Sequence, residues 1–211
     1  MIVPEKEIKH LSPLGQQLFR HWAQYMHEQV RFNMPGSEIH AMPHCERVLL
    51  YTLLIGESLF GDDKEALTIL AHASIFHDTR REDDYLDTGH GARAAVYYED
   101  FCRHHQDISF HPEAVYLMRY HDLDDKVGRE AIMRDFPEKA ERVLKLYAIF
   151  KDADALDRWR LGNRGLDARY LRTDKAKSMV EYARSVVAET TPKELLDRIE
   201  EQVNRTLSCD K

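Results

Sequence analysis

The sequence predicts an all-α protein, because two patterns typical of helices run along the chain and the pattern typical of strands does not. Apolar residues recur at helical spacing in long stretches, for example "LGQQLFRHWAQYMHEQV" and "HCERVLLYTLLIGESLF". Cap residues or prolines precede several of these stretches, whereas no convincing alternation of period two marks a strand. We therefore expect a helical bundle of about eight or nine helices joined by short turns.

Short-range signals mark where these helices begin. The Ser-Pro pair at 12–13 and the Met-Pro pair at 42–43 place a proline in the first turn of the helices that follow. Asp62 and Glu65 form a capping-box pattern before "ALTILAHASIFHD". The stretches "GARAAVYYEDFCRHH", "EAVYLMRYHD" and "PEKAERVLKLYAIFKDADALDRWRLG" continue the helical spacing. Two amphipathic stretches, "DKAKSMVEYARSVVAE" and "PKELLDRIEEQVNRTL", follow them.

Length and composition are those of one soluble domain. The 211 residues are 43% hydrophobic and 32% charged, with no repeat, low-complexity tract or Gly/Ser linker. No apolar run approaches the roughly 20 residues of a membrane span. The segment "MIVPEKEIKH" has no secretory-signal pattern, and Cys45, Cys102 and Cys209 are typical of reduced thiols. We expect a single domain over residues 1–211, located in the cytoplasm.

The charge of the chain restricts its partners. A formal net charge of −7 argues against broad electrostatic binding to nucleic acid or to anionic lipid. We therefore predict neither a nucleic-acid polymer nor a membrane as a partner, although a local basic pocket is compatible with this net charge. The 12 histidines are the compositional oddity, and histidine is the commonest metal ligand in proteins.

One predicted helix is apolar on nearly every side and ends in two ionisable residues. In "EALTILAHASIFHD" the apolar residues surround the helix, which is typical of the centre of a bundle, and His77 and Asp78 follow them. Burying an imidazole and a carboxylate is costly unless they are paired or bind a cation. The negative end of the helix dipole also favours a cation. The alternatives are a metal site and a hydrogen-bonded pair in the core.

Further residues of the types that bind metals lie at the ends of other predicted helices. His44 lies in the first turn of its helix, His90 opens a later helix, and His121 closes "EAVYLMRYHD". Each histidine taken alone is a weak signal, but an ordered set on separate helices is typical of a metal site built in a bundle. The candidate ligands are His44, His77, Asp78, His90, His121 and Asp154.

Two positions near these candidates have competing interpretations. In "KDADALDRWR" helical periodicity does not distinguish Asp152 from Asp154, because each lies on an apolar face. Asp154 has the alternative of an ion pair with Arg158 one turn later. His72 lies five residues before His77 and therefore points elsewhere, so we expect it to be a satisfied buried histidine.

In this order the candidates resemble the HD-domain superfamily, a group of all-α proteins named for a His…His-Asp…Asp metal signature. "HCERV" resembles the family's first histidine helix, "IFHDTRR" its His-Asp motif and "KDADALD" its final aspartate motif, over roughly residues 40–160. His90 and His121 match the two extra histidines of members that hold two metals. The resemblance also selects Asp154 over Asp152 as the ligand.

The resemblance implies an HD-domain helical bundle with one or two divalent metal ions per chain. Imidazole and carboxylate ligands together suit Mn, Fe, Ni, Co or Zn, and the sequence does not choose among them. The family pattern assigns one metal to His44, His77 and Asp154 and the other to His90 and His121, with Asp78 bridging the two.

A metal-dependent phosphohydrolase is the function that this resemblance implies. Two divalent cations a few ångströms apart can bridge a hydroxide, lower its pKa and hold phosphoryl oxygens against it. We expect the substrate to be a nucleotide or another small phosphate ester. Asp78, Arg81 and Glu82 are the expected catalytic residues: Arg81 stands where many family members carry a phosphate-binding lysine, and Glu82 is a candidate acid or base.

The departures from the family pattern narrow the substrate. There is no Gly-Tyr-Pro segment after His121, so the subgroup that cleaves cyclic di-GMP is not supported. Arg81 occupies the position at which the alarmone hydrolases and deoxynucleotidases carry a glutamate, which argues against those two substrate classes.

Two alternatives use the same six ligands: a mixed-valence di-iron oxygenase similar to myo-inositol oxygenase, and a non-catalytic metal-binding module.

Overall fold

The computed structural model describes the backbone of residues 1–209 and the side chains of residues 1–205, and every regular element in this part of the chain is a helix. The α-helices are α1 (Glu5–Ile8), α2 (Pro13–Gln29), α3 (Met42–Phe60), α4 (Lys64–Phe76), α5 (His90–His104), α6 (Pro112–Arg119), α7 (Asp125–Asp135), α8 (Ala140–Leu156), α9 (Asp174–Ser178), α10 (Val180–Thr190) and α11 (Lys193–Cys209). Two 3-10 helices cover Asp157–Leu161 and Ala168–Tyr170. The predicted all-α fold is confirmed.

The described part of the chain has eleven α-helices rather than the eight or nine expected, for two physical reasons. The short α1 and the polar α7 have little apolar periodicity, since α7 buries only Gly128, Ala131 and Ile132. The stretch read as one helix after residue 173 divides into α9 and α10, because Met179 leaves the helical conformation with φ −98° and ψ 3°.

Most of the predicted helix starts agree with the structure to within one residue, but the helix predicted to begin at Pro137 begins at Ala140. Ser12 caps α2 by accepting a hydrogen bond from the backbone N–H of Gly15 at 3.1 Å. The cap of α4 is Asp63 and not Asp62, because the Asp63 carboxylate accepts from the N–H of Ala66 at 3.0 Å. Such shifts are expected where two aspartates are adjacent.

Helices α3 and α4 form the centre of the bundle. From Ala66 onwards every residue of α4 except Thr68 is buried, as its all-round apolar surface predicts. Helix α3 packs against α4, α2 and α8, and a single apolar cluster joins side chains from each helix between α1 and α10.

None of the described helices combines the length and apolarity needed to cross a bilayer. The Cys45 and Cys102 thiols are free, and the Cys209 side chain lies outside the described residues.

Five helix ends meet at one end of this bundle, and a close contact between α5 and α6 is part of the reason. A Cβ atom at Gly91, in the first turn of α5, would lie 2.3 Å from the Met118 carbonyl oxygen and 2.8 Å from His121 Nδ1. Only glycine therefore allows the start of α5 to approach the end of α6 this closely. The contact brings His90 and His121 together.

We expect Gly91→Ala to lower the free energy of unfolding by about 1–3 kcal/mol, the usual cost of an overpacked contact. Helix propensity alone predicts the opposite sign, a gain of about 1 kcal/mol. Urea denaturation measures the difference. The control is Gly36→Ala, which meets nothing within 4 Å and should stay within about 0.5 kcal/mol. A Gly91→Ala protein that is more stable than the wild type would contradict the packing argument.

Candidate metal centre

All six predicted ligands lie together where five helices end. His44 lies in the first turn of α3, His77 is the C-cap of α4, and Asp78 follows it. His90 is the first residue of α5, after Gly89, whose φ of +95° is one that glycine readily adopts. The remaining two members are His121, two residues beyond α6, and Asp154, in the last turn of α8.

The first half of the cluster is formed by His44, His77 and the two aspartates. The Nε2 atoms of His44 and His77 are 3.0 Å apart. Asp154 Oδ1 lies 3.3 Å from His44 Nε2 and 3.9 Å from His77 Nε2. Asp78 Oδ2 lies 3.5 Å from His44 Nε2. Two atoms bound to one metal at 2.0–2.2 Å lie about 3–3.6 Å apart, so most of these distances match a shared coordination sphere.

The second half is formed by His90, His121 and the other oxygen of Asp78. The Nε2 atoms of His90 and His121 are 2.9 Å apart. Asp78 Oδ1 lies 3.1 Å from His90 Nε2 and 3.7 Å from His121 Nε2. One oxygen of Asp78 therefore faces each half of the cluster, which is the arrangement of a bridging carboxylate.

The outer ring nitrogen of each histidine points at an oxygen atom that can only accept a hydrogen bond. His77 Nδ1 donates to the Ser74 carbonyl at 2.9 Å, and His121 Nδ1 donates to the Met118 carbonyl at 2.7 Å. His90 Nδ1 donates to the Asp87 carbonyl at 2.6 Å, and His44 Nδ1 donates to Asp157 Oδ2 at 2.8 Å. Each neutral ring then keeps its proton on Nδ1 and has an unprotonated Nε2.

This tautomer assignment is the test of whether the residues fit a metal ion. Two unprotonated Nε2 atoms about 3 Å apart direct their lone pairs at each other, and two carboxylates add negative charge beside them. With no proton between the nitrogens the contact is unfavourable, and either a proton taken up by one ring of the pair or a bound metal ion relieves it. The buried histidine and aspartate groups could therefore hold a metal ion.

The titration of the cluster residues reflects this mixture of imidazoles and carboxylates. Burial lowers the pKa of His77 to about 3, which keeps that ring neutral. Burial by itself would raise the pKa of Asp78, but the surrounding imidazoles outweigh it and hold the pKa well below its usual range. Burial likewise opposes charge on His121, yet the hydrogen bond to Asp78 raises its pKa.

A second layer, which we did not predict, supports His44. Asp157 is fully buried and accepts from His44 Nδ1, and Arg47 donates to both of its oxygens at 2.6 and 3.0 Å. Burial would raise the pKa of Asp157, but the charge of Arg47 and the His44 hydrogen bond bring it below its usual value. The sequence feature that could have indicated this support is Arg47, a cation one turn after His44 on a buried helix.

The structure separates the two aspartates that periodicity left open. Asp154 faces the cluster, and Arg158 donates instead to the Gly165 carbonyl at 2.7 Å. Asp152 is fully buried elsewhere and accepts from the backbone and side chain of Thr173 at 2.7 and 2.8 Å and from Arg172. Asp152 therefore holds the chain after the second 3-10 helix and takes no part in the cluster.

Arg81 reaches the cluster although α4 ends before it. Its Nη1 lies 3.7 Å from Asp78 Oδ1 and 3.2 Å from His90 Nε2. Its other donors hold the loop that follows, Nε to the Asp83 carbonyl at 3.3 Å and Nη2 to the Tyr85 carbonyl at 2.6 Å. Arg81 therefore uses two of its three nitrogens to hold the loop between α4 and α5.

Glu82 does not reach the cluster. Its carboxylate is 67% exposed and lies 3.5 Å from Arg93 Nε, and its backbone N–H donates to Asp87 Oδ2 at 2.7 Å. It does not line the cavity above the metal ligands. This placement argues against the predicted role of Glu82 as an acid or base, because its carboxylate faces solvent and Arg93 and not the cluster.

A cavity of about 460 Å³ opens above the cluster. Three arginines, a neutral histidine and exposed Tyr85 line it. Five aspartates line it as well: Asp78, Asp84, Asp87, Asp122 and Asp154. Burial lowers the pKa of that histidine, His40, to about 3, and its Nδ1 donates to Asp84 Oδ1 at 3.1 Å. The arginines are Arg81, Arg158 and Arg160. The volume suits a small ligand rather than a polymer.

His72 lies outside the cluster, as predicted, but only one of its ring nitrogens is satisfied. The ring is fully buried, with Nδ1 2.9 Å from the Tyr98 hydroxyl. Its Nε2 has no hydrogen-bond partner among the described residues. Burial lowers the pKa of His72 to about 3.

Comparison with protein-family models, with curated proteins and with solved structures found no match to this chain. What is established is therefore an all-α protein with a buried histidine–aspartate cluster that could hold metal.

We expect Asp157→Asn to weaken metal binding about 10- to 100-fold, the usual effect of removing a group that orients a metal-bound histidine. Titration calorimetry with Mn²⁺ or Zn²⁺ measures it. Asp152→Asn is the matched control, since it also removes a fully buried charge paired with arginine but does not touch the cluster. Equal metal affinity in the two variants would show that Asp157 does not support His44.

We expect His72 to make the metal-free protein less stable in acid. Its folded-state pKa of about 3 lies below the unfolded value of about 6.5, so its contribution is complete above pH 6.5 and is lost as pH falls toward 3. His72→Gln should remove up to about 1.4 kcal/mol per pH unit from the slope of unfolding free energy. His104→Gln, whose ring is 70% exposed, should not. An unchanged slope in His72→Gln contradicts the assignment.

Proposed function

We propose that this chain is a metal-dependent phosphohydrolase of the HD-domain superfamily, acting on a nucleotide or another small phosphate ester. One observation carries the proposal: four histidine Nε2 atoms and two carboxylates converge from five helix ends at the floor of a cavity lined by arginines. When the rings are neutral their Nδ1 atoms donate outward, so the Nε2 atoms face each other as acceptors, and a metal ion satisfies that arrangement.

The order of the six residues along the chain supports the family assignment. They follow the sequence His44, His77-Asp78, His90, His121 and Asp154, which is the order that the resemblance to HD-domain proteins implies. Their division into two groups around Asp78 also agrees with the ligand assignment of members that hold two metals. The all-helical fold is the one expected of this superfamily.

The chemistry of the proposal requires little movement from the protein. Divalent cations, when bound, lower the pKa of a coordinated water and neutralise charge on phosphoryl oxygens. The residues of the chain prepare this site in advance: the Nδ1 hydrogen bonds of the histidines hold each ring in place, and Asp78 presents one oxygen to each half. Preorganised charge of this kind is worth most in a partly dry cavity.

With divalent metal ions in place, the cavity suits an anionic substrate of limited size. Three arginines and five aspartates line its roughly 460 Å³, so the side chains alone do not make it positive. Two divalent ions at the cluster would add four positive charges, and a positive cavity in an acidic protein attracts a small anion without attracting nucleic acid broadly. Tyr85, 86% exposed at the same cavity, offers an aromatic surface to the remainder of the substrate.

The test is phosphate release from nucleoside mono-, di-, tri- and cyclic phosphates and from simple phosphate esters. The protein is first stripped of metal and then reloaded with Mn, Fe, Ni, Co or Zn. We expect turnover with at least one metal and one substrate class, and at least a 1,000-fold loss in a His77→Ala/Asp78→Ala variant, about 4 kcal/mol of transition-state stabilisation.

Two results would favour a function other than phosphohydrolysis. Oxygen uptake with iron, and no phosphate release with any metal, would favour the di-iron oxygenase that uses the same ligands. Tight metal binding with neither activity would favour a non-catalytic module. Metal content is measured for the wild type and the double variant, and Asp152→Asn serves as a folded control with an intact cluster.

A further inference from the structure

Arg160 is a buried cation on the wall of the proposed substrate cavity. It lies in the 3-10 helix that follows α8 and is only 4% exposed. It lines the same cavity as Asp78 and Asp154. A guanidinium carries five N–H donors, and burying it is costly unless those donors meet acceptors.

Most of the donors of Arg160 have no acceptor in the part of the chain that the structure describes. Nε donates to the Ile39 carbonyl at 2.5 Å, and neither terminal nitrogen donates a hydrogen bond within the described residues. Nη1 lies 3.7 Å from Asp157 Oδ2, which is too long for a hydrogen bond. The oxygens of Asp157 already accept from His44 and Arg47.

The other two arginines of the cavity are used differently. Arg81 donates through Nε and Nη2 to backbone carbonyls of the loop between α4 and α5. Arg158 is exposed, and its Nε donates to the Gly165 carbonyl. Of the three, Arg160 is thus the buried one whose terminal nitrogens have no acceptor, and of these Nη1 is enclosed by protein beside Asp157.

We propose that Arg160, rather than Arg81, is the principal residue that binds the anionic oxygens of the substrate's phosphate. This inference rests on the proposed function and deepens it. The Ile39 carbonyl accepts from Nε and Nη1 is enclosed beside Asp157, so Nη2 is the terminal nitrogen left for a ligand in the cavity. An anionic oxygen there supplies the missing acceptor of Nη2 and neutralises a buried charge.

The probe is inorganic phosphate, titrated by calorimetry into the Mn²⁺-loaded protein. Arg160→Gln should weaken phosphate affinity about 10- to 100-fold, the effect of losing charge-assisted hydrogen bonds. Arg160→Lys retains the charge and one donor, so its loss should be smaller. Arg134→Gln, an exposed arginine of α7 that does not line the cavity, should change affinity by less than about twofold. Manganese content should be unchanged in all three variants, because none of them alters a ligand.

The outcomes separate this inference from the proposed function. If the Mn²⁺-loaded wild type does not bind phosphate, the proposed function and the inference both fail. If the wild type binds phosphate and both Arg160 variants bind it equally well, Arg160 is not the binding residue and the proposed function stands.

A crystal structure of the wild type with Mn²⁺ and phosphate decides the matter if the Arg160 variants do not fold. Phosphate oxygens within hydrogen-bond distance of the Arg160 terminal nitrogens support the inference. Phosphate held by Arg81 without Arg160 overturns it.

Discussion

The contact between unprotonated imidazole nitrogens is the constraint on which the rest of this molecule depends. Two pairs of Nε2 atoms lie 3.0 and 2.9 Å apart, and the oxygens of Asp78 lie between the pairs. Such an arrangement is unfavourable by itself, because acceptors face acceptors in a buried site. It becomes favourable with a cation at its centre. The outer hydrogen bonds of the rings keep it in this state, since each Nδ1 already has its own acceptor.

The bundle supplies the rigidity that this contact requires. Three of the four rings donate to the carbonyl three residues earlier in the chain, so the end of a helix or a turn orients each of them locally. His44 is the exception, because it begins its helix and finds its acceptor in Asp157, which Arg47 holds from the next turn. The cluster therefore depends both on local helix ends and on one long-range ion pair.

Positive charge around the cavity is divided between structure and binding. Arg47 neutralises Asp157, and Arg81 holds the loop that carries exposed Tyr85. Arg160 donates through Nε to the Ile39 carbonyl, and its terminal nitrogens have no acceptor among the described residues. Aspartates outnumber arginines in the lining, so the cavity becomes positive only when metal ions are bound at the cluster.

The sequence by itself determined the all-α fold, the centre of the bundle at α4 and the six residues of the cluster, because helix periodicity and the cost of burying His77 and Asp78 are local properties. Resemblance, rather than periodicity, selected Asp154. Only the tertiary structure decided which charged residues surround the cluster. Asp157, Arg160 and Glu82 look alike in the sequence, as charges near a motif, but Glu82 is exposed beside Arg93 whereas Asp157 and Arg160 are buried against Arg47 and Ile39. The contacts of Asp157 with Arg47 and of Arg160 with Ile39 join residues more than 100 positions apart, and no local pattern encodes them.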